Sequence, residues 1–226
     1  MSQAKFSVEG VLDALAMQPG RGDGRAVMFV SGRRGAGVTS LAQAVAQESG
    51  ARAVYAIDLD LKRNALARLL AGNTRLGPRQ EGRVAGHTFY SVRGPHGALL
   101  VERTPAFSYH QVAGSRVFAG VFDARVLPAG GRVVISSAPQ YWDAVRAVGA
   151  MAVVDAPSLD RSQIALRVAR NMDGVVLVVG GEQGDAPAAT AAKEALVAAG
   201  ANVIGLVYSG ASAPVMTIER LLRQAG

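Results

Sequence analysis

The chain has 226 residues, half of them hydrophobic and 18% charged. That is enough apolar material for one core of ordinary domain size, and it excludes a disordered tail or a fibrous repeat. There is no cysteine, so a disulfide framework, a thiolate metal centre and a cysteine nucleophile are all excluded. The net charge of +7 is carried by arginine, since lysine occurs only at positions 5, 62 and 193. Residues 61–150 hold 12 basic and 4 acidic side chains, and the rest of the chain is near balance. Such a basic segment attracts nucleic acid, anionic lipid or an acidic partner segment. Arginine excess also follows from GC-rich coding, so charge alone does not name the partner.

In chain order, Val8, Val11, Leu12 and Leu15 follow helical spacing after Ser7, a suitable N-cap, and predict a leading helix over 8–17. A Pro/Gly breaker cluster over 18–24 precedes an apolar strand, 26–30, which runs into the glycine-rich 31–37. A helix over 39–47 follows, then a buried strand over 53–57 closed by Asp58-Leu59-Asp60, then a helix over 62–70. The second half repeats this grammar. Strands are expected over 151–154, 174–179 and 203–207, and helices over 161–172, 187–199 and 214–224. Continuous apolar strands alternating with helices predict an α/β fold, a doubly wound and mostly parallel sheet covered on both faces.

Residues 75–137 break the pattern. Strand-prone stretches over 87–92, 98–102, 116–122 and 132–136 are punctuated by glycine and proline. The segment also holds Phe89, Tyr90, Phe107, Tyr109, Phe118 and Phe122. It reads as a strand-rich basic insertion within a single domain spanning 1–226, its last strand available to rejoin the core. His87, His96 and His110 lack metal-ligand spacing. Tyr141-Trp142 reads as a packing anchor at the start of a helix. No nucleic-acid-binding module accompanies the aromatics and arginines, so nucleic acid is not an expected partner. Nor is there a nucleophile elbow for Ser-His-Asp catalysis. The longest apolar run, 175–179, is far below the roughly 20 residues of a membrane-spanning helix. No basic-then-apolar leader is visible in 1–9, so a cytoplasmic location is expected.

The first strand runs into Gly32-Arg33-Arg34-Gly35-Ala36-Gly37-Val38-Thr39-Ser40. Against the phosphate-loop pattern G-x-x-x-x-G-K-[ST], Gly32, Gly37 and Thr39 are in place, and so is the strand-loop-helix context. Glycines let the backbone wrap a phosphate with its N–H groups inward, and the helix N-terminus adds a favourable dipole. The Thr39 hydroxyl is placed to meet a Mg²⁺ ion. Val38 stands where the pattern has its lysine, and Arg33 or Arg34 is the available substitute. Asp58 and Asp60 end one strand and Asp155 another, at the sheet edge where such folds bind ligands. With a loop hydroxyl, these carboxylates suit Mg²⁺. Asp60 is also placed to cap a helix starting at Lys62.

Taken together, these motifs resemble the MinD/ParA-type P-loop ATPases, and most of all the bacterial tyrosine kinases that accompany capsule and exopolysaccharide export. The family's D-x-D-L-[RK]-R is matched by Asp58-Leu59-Asp60-Leu61-Lys62-Arg63, and its D-x-P-P in part by Asp155-Ala156-Pro157-Ser158. Its A-x-x-x-D-G-V-x-L-V-V matches 169–179, including Asp173-Gly174, and L-x-x-x-G-x-x-V-x-G-V-V-x-N is echoed over 196–209. The resemblance covers about 25–74 and 150–210 and fails across the middle.

The resemblance implies ATP or ADP and Mg²⁺ as cofactors, with Thr39, Asp58 and Asp155 as Mg²⁺ contacts and Asp60 as the catalytic carboxylate. Gly32, Arg33, Arg34, Gly35, Ala36, Gly37, Val38, Thr39 and Ser40 would form the nucleotide loop. Ser209 occupies the position of an adenine-reading asparagine. Val38, Ser158 and Ser209 depart from the pattern, and no tyrosine cluster closes the chain. A degenerate, kinase-like regulatory protein of exopolysaccharide synthesis is therefore expected. It would act with a membrane copolymerase at the inner face of the membrane and would pair with a second copy. An active ATPase or tyrosine kinase using Arg33 or Arg34 is one alternative. The other is a pilus-type, MinD-like localisation protein, because Arg33 to Ser40 also fit that group's lysine-less R-G-G-x-G-A-T-T loop.

Overall fold

A computed structural model describes residues 8–181 and 185–209. The expected cap at Ser7 and the expected helix over 214–224 lie outside the described residues. The chain begins with α1 (Val8–Ala16), β1 (Arg25–Ser31), α2 (Val38–Glu48), β2 (Val54–Asp58) and α3 (Ala65–Ala71). Six strands follow in the middle: β3 (Arg79–Glu81), β4 (Tyr90–Arg93), β5 (Leu99–Leu100), β6 (Phe107–Gln111), β7 (Val117–Phe122) and β8 (Arg132–Ile135). The remainder is α4 (Gln140–Ala147), β9 (Met151–Asp155), α5 (Ile164–Val168), β10 (Gly174–Val179), α6 (Asp185–Ala198) and β11 (Val203–Tyr208).

Eight strands form one sheet in the order β11-β10-β1-β9-β2-β7-β6-β3. From β11 to β7 every pairing is parallel, and β6 and β3 add an antiparallel edge. The alternation of β1 shows why both faces are covered. Ala26, Met28 and Val30 enter an apolar cluster with Tyr141, Trp142, Val168 and Leu196 from α4, α5 and α6. Val27 and Phe29 enter the opposite cluster, with Val11, Leu41, Val45 and Leu66 from α1, α2 and α3. The predicted doubly wound α/β sheet is what forms.

The middle segment divides between two sheets. Its fifth strand, β7, runs parallel to β2 and joins the core. The last strand, β8, expected to rejoin the core, pairs instead with β4 in a three-stranded antiparallel sheet, β5-β4-β8. Two strands in the middle were not anticipated, β3 and β6. Of the six middle-segment aromatics, Phe89, Tyr90, Phe107, Tyr109 and Phe122 are buried. Phe89 packs edge-on against Phe107 and Tyr141. They form a core rather than an exposed stacking surface, with Tyr141 and Trp142 as the expected anchor.

At the end of the sheet where β1 begins, a buried ion pair ties three elements together. Arg146 of α4, 2% exposed, donates through Nε to Asp173 Oδ2 at 2.9 Å, and through Nη2 to the Asn171 carbonyl. Asp173 Oδ2 also accepts from the Ala26 amide at 2.7 Å. Asp173, which the sequence offered only as a family match, is thus structural. Removing one partner strands a buried charge, which costs about 3–5 kcal/mol. Arg146→Ala is expected to lose about that much in a urea denaturation measurement, and an unchanged midpoint would refute the assignment.

Candidate functional site

At the opposite edge, where the parallel strands end, a cleft of about 330 Å³ opens between the β1–α2 loop and the ends of β2 and β9. Its lining brings together Arg34, Gly35, Ala36, Gly37, Val38, Thr39, Ser40, Asp58, Asp60 and Asp155. Chain connectivity is what delivers these groups. β1, β9 and β2 lie side by side and parallel, so their carboxyl ends and following loops share one edge.

The loop is shaped for an anion. Gly35 and Gly37 take φ of 91° and 82°, values that favour glycine. Gly37 is also the N-cap of α2, and no side chain caps this helix, so its first-turn N–H groups are available to a ligand in the cleft. Gly32 serves a different purpose. A Cβ there would stand 2.5 Å from the Ala188 carbonyl oxygen, so this glycine admits α6. Arg33 and Arg34 diverge. Arg34 lines the cleft, whereas Arg33 borders a separate small crevice with Gly32, Val179 and Ala189. Val38 is buried and belongs to the apolar cluster of Phe29, Leu41 and Val45. Ser209 lies apart from the cleft lining, its hydroxyl donating to the Ala36 carbonyl. It braces the loop from behind.

The floor is acidic. Asp58 and Asp155 are register partners on adjoining strands, 4% and 5% exposed. Asp58 is already engaged by the backbone. Its Oδ1 accepts from the Asp60 amide at 2.8 Å, and its Oδ2 accepts from the Ala65 and Leu66 amides at 2.8 and 3.4 Å. Asp58, not Asp60, therefore caps the helix, which starts at Ala65 and not at Lys62. Residues 61–63 turn first, and Asn64 adopts a φ of 48°. Burial raises the Asp58 pKa, opposed by those three amide bonds. Burial, then the neighbouring Asp58 charge, pushes Asp155 up to about 7, while a hydrogen bond from Thr39 works against the shift.

The rim is basic. Asp60 Oδ2 lies 3.4 Å from Arg63 Nε and 3.2 Å from Arg161 Nη2, and both arginines line the cleft. Arg161 was expected to start a helix. Instead the 158–162 turn is pulled onto the β1 end, where Leu159 and Asp160 amides donate to the Ser31 and Gly32 carbonyls. The helix is thereby shortened to α5. Ser158 is 6% exposed, and its hydroxyl has no hydrogen-bond partner among the described residues. Arg63, Arg161 and Ser158 carried no role in the sequence reading. Arg63 entered only as the last residue of the D-x-D-L-[RK]-R match and Ser158 only as a departure from D-x-P-P, while Arg161 had no signal beyond closeness in sequence to Asp155.

Among the described residues, no group of three or more His, Asp or Glu side chains is placed to hold a metal alone. A Mg²⁺ ion held by Thr39 and Asp155, beside Asp58, would complete its six oxygen ligands from water and phosphate. The uncapped helix, the positive-φ glycines and the orphaned Ser158 hydroxyl all fit such a ligand.

The fold is that of P-loop ATPases of the MinD/ParA kind. Among solved structures, the chain is similar to the kinase domain of the Escherichia coli tyrosine kinase ETK, with a TM-score of 0.57 and 16% identity, covering 90% of this chain and 74% of that one. It is similar to the septum site-determining protein MinD from Pyrococcus horikoshii, solved with Mg-ADP, with a TM-score of 0.52 and 17% identity over 81% of this chain and 69% of that one. A ParA family ATPase from Chlorobium tepidum gives a TM-score of 0.51 and 14% identity over 81% and 73%. No family model matches the chain, and no curated protein matches it.

The Asp155 shift carries a stability consequence. In the unfolded chain an aspartate ionises near pH 4, whereas the folded protein keeps this proton to about pH 7. The stabilising share is therefore present below pH 4, declines as pH rises, and is fully lost above pH 7. At about 1.4 kcal/mol per pK unit, the change is roughly 4 kcal/mol. Asp155→Asn should flatten that slope, making the variant more stable relative to wild type at pH 8 than at pH 4.5. Parallel urea denaturation at the two pH values checks this.

Proposed function

We propose that this chain is a regulatory protein built on a kinase-like ATPase fold, which binds Mg·ADP or Mg·ATP weakly and turns it over slowly or not at all. The observation that carries the reading is Val38. The cleft keeps a glycine loop, Thr39 and two floor carboxylates, yet the position that should supply the phosphate-contacting cation is an apolar side chain packed into the core. Losing a preorganised donor of this kind costs about 3–4 kcal/mol of transition-state stabilisation, which is several-hundred-fold in rate. In this reading the nucleotide loop is degenerate, Thr39, Asp155 and Asp58 hold Mg²⁺, and Asp60 is the catalytic carboxylate left without its lysine.

The protein acts in exopolysaccharide synthesis or export, from the cytoplasm, at the inner face of the membrane, through the cytoplasmic part of a membrane copolymerase and as a dimer. Support comes from the motif resemblance and from the fold shared with the ETK kinase domain. The basic, strand-rich 75–137 segment, an insertion in a single domain, provides the contact. Arg93 and Arg132 are exposed, directly opposed in register on the small sheet. Like charges so placed favour an acidic partner segment.

A second reading, an active ATPase with Arg34 in the lysine's place, is favoured by Arg34 lining the cleft. Arg33, on the far side, does not serve it.

Calorimetric titration is expected to show saturable, Mg²⁺-dependent ADP binding that disappears in Asp155→Ala. ATP hydrolysis should be several-hundred-fold below that of lysine-bearing relatives. Turnover at the relatives' rate, abolished by Arg34→Ala, would establish the second reading instead. The partner is tested by retention on an immobilised copolymerase cytoplasmic segment. Retention is expected to be lost in the double variant Arg93→Glu, Arg132→Glu, and no retention of wild type would overturn the assignment.

A further inference from the structure

The cleft divides by charge. Its floor is Asp58, Asp155 and Thr39, and its rim carries Arg34, Arg63 and Arg161. The one carboxylate on the rim is Asp60, and a single oxygen of it, Oδ2, holds both Arg63 and Arg161. Three guanidinium groups against one carboxylate leave the rim short of negative charge. Ser158, in the same lining, has a buried hydroxyl that no group among the described residues meets. A buried polar group without a partner is costly in a folded protein, and here it marks where an oxygen-bearing ligand belongs.

We infer that Arg63, Arg161 and Ser158 form an oxyanion subsite for the outermost phosphate of a nucleoside di- or triphosphate, with Asp60 as the group that the phosphate displaces. The inference rests on the nucleotide reading above and names the cations that stand in for the loop lysine. They come from the ends of β2 and β9, not from the loop.

The exchange is favourable for a physical reason. The side chains of Arg63, Arg161 and Asp60 are 51%, 35% and 26% exposed, and ion pairs this wet are weak. A terminal phosphate brings more charge and several oxygens to guanidinium forks whose planar donors match it. Before binding, Asp60 bridges the loops that follow β2 and β9. After binding, the phosphate makes that bridge, and the Asp60 carboxylate is released beside the ligand.

The probes are inorganic pyrophosphate and ADP, titrated calorimetrically at one fixed, saturating Mg²⁺ concentration for every variant. Arg161→Gln and Arg63→Gln are each expected to weaken binding on the order of tenfold, with Arg161→Lys falling between wild type and Arg161→Gln. Asp60→Asn is expected to tighten it, because the arginines are no longer occupied. In the Arg161→Gln background that gain should shrink, since the exchange needs Arg161. An undiminished gain would mean that Asp60 repels anions generally, and would overturn the latch. Weaker binding in Asp60→Asn would make the pair a structural brace, with the same result. Equal affinity across wild type and the arginine variants would overturn the subsite while leaving the nucleotide reading intact. No ADP binding by wild type, with or without Mg²⁺, would overturn both.

Discussion

Two carboxyl groups sit in register at the ends of adjacent parallel strands, buried together, and much of the cleft follows from how the protein accommodates them. Among the described residues, neither is paired with a cation. Asp58 is stabilised by three backbone amides, two of which belong to the first turn of α3. Asp155 holds a proton up to about pH 7 and meets Thr39. The same contacts set the course of the chain. Because Asp58 draws in the start of α3, residues 60–63 must turn at the cleft mouth, which brings Asp60 and Arg63 to the rim. The turn after β9, fastened to the end of β1, brings Arg161 to meet them.

The parallel half of this arrangement was legible from sequence. Unbroken apolar runs such as 26–30 and 174–179 have no polar face, and only a strand buried on both sides accounts for that. The strand-loop-helix unit and the strand-end acids also fixed the edge on which the cleft would form. The middle segment was less legible, because its strands are short and only some pair with chain neighbours, as β4–β5 and β6–β7 do, while β3–β6 and β4–β8 pair across intervening strands. Nothing local distinguishes β7, which joins the core, from β8, which does not. Arg79 to Glu81 is polar throughout and reads as loop, yet it pairs with β6.

Side-chain roles inside the site were legible only by type. Arg33 and Arg34 are chemically equivalent neighbours, and it takes the backbone path between two positive-φ glycines and α6 to send them to different sides. Gly32 fits the phosphate pattern and yet answers to a packing contact with Ala188. Ser209, expected from the resemblance at a recognition position, instead supports the loop through the Ala36 carbonyl. In each case a residue that matches a pattern is held by a neighbour distant in sequence, which no spacing rule encodes. Arg161 is the converse: no pattern pointed to it, and a turn pulled onto β1 set it at the rim.

The antiparallel extension has a consequence for assembly. The outer border of the sheet on that side is β3, three residues long and fully exposed, carrying Arg79, Gln80 and Glu81. A short, hydrophilic margin with one charge of each sign gives an incoming strand little to zip onto. Lateral growth of the sheet into fibrils or strand-exchanged oligomers is thereby discouraged at this end. Of the two borders of the large sheet, this one is closed to strand addition by its own brevity and charge, whereas β11 forms the other.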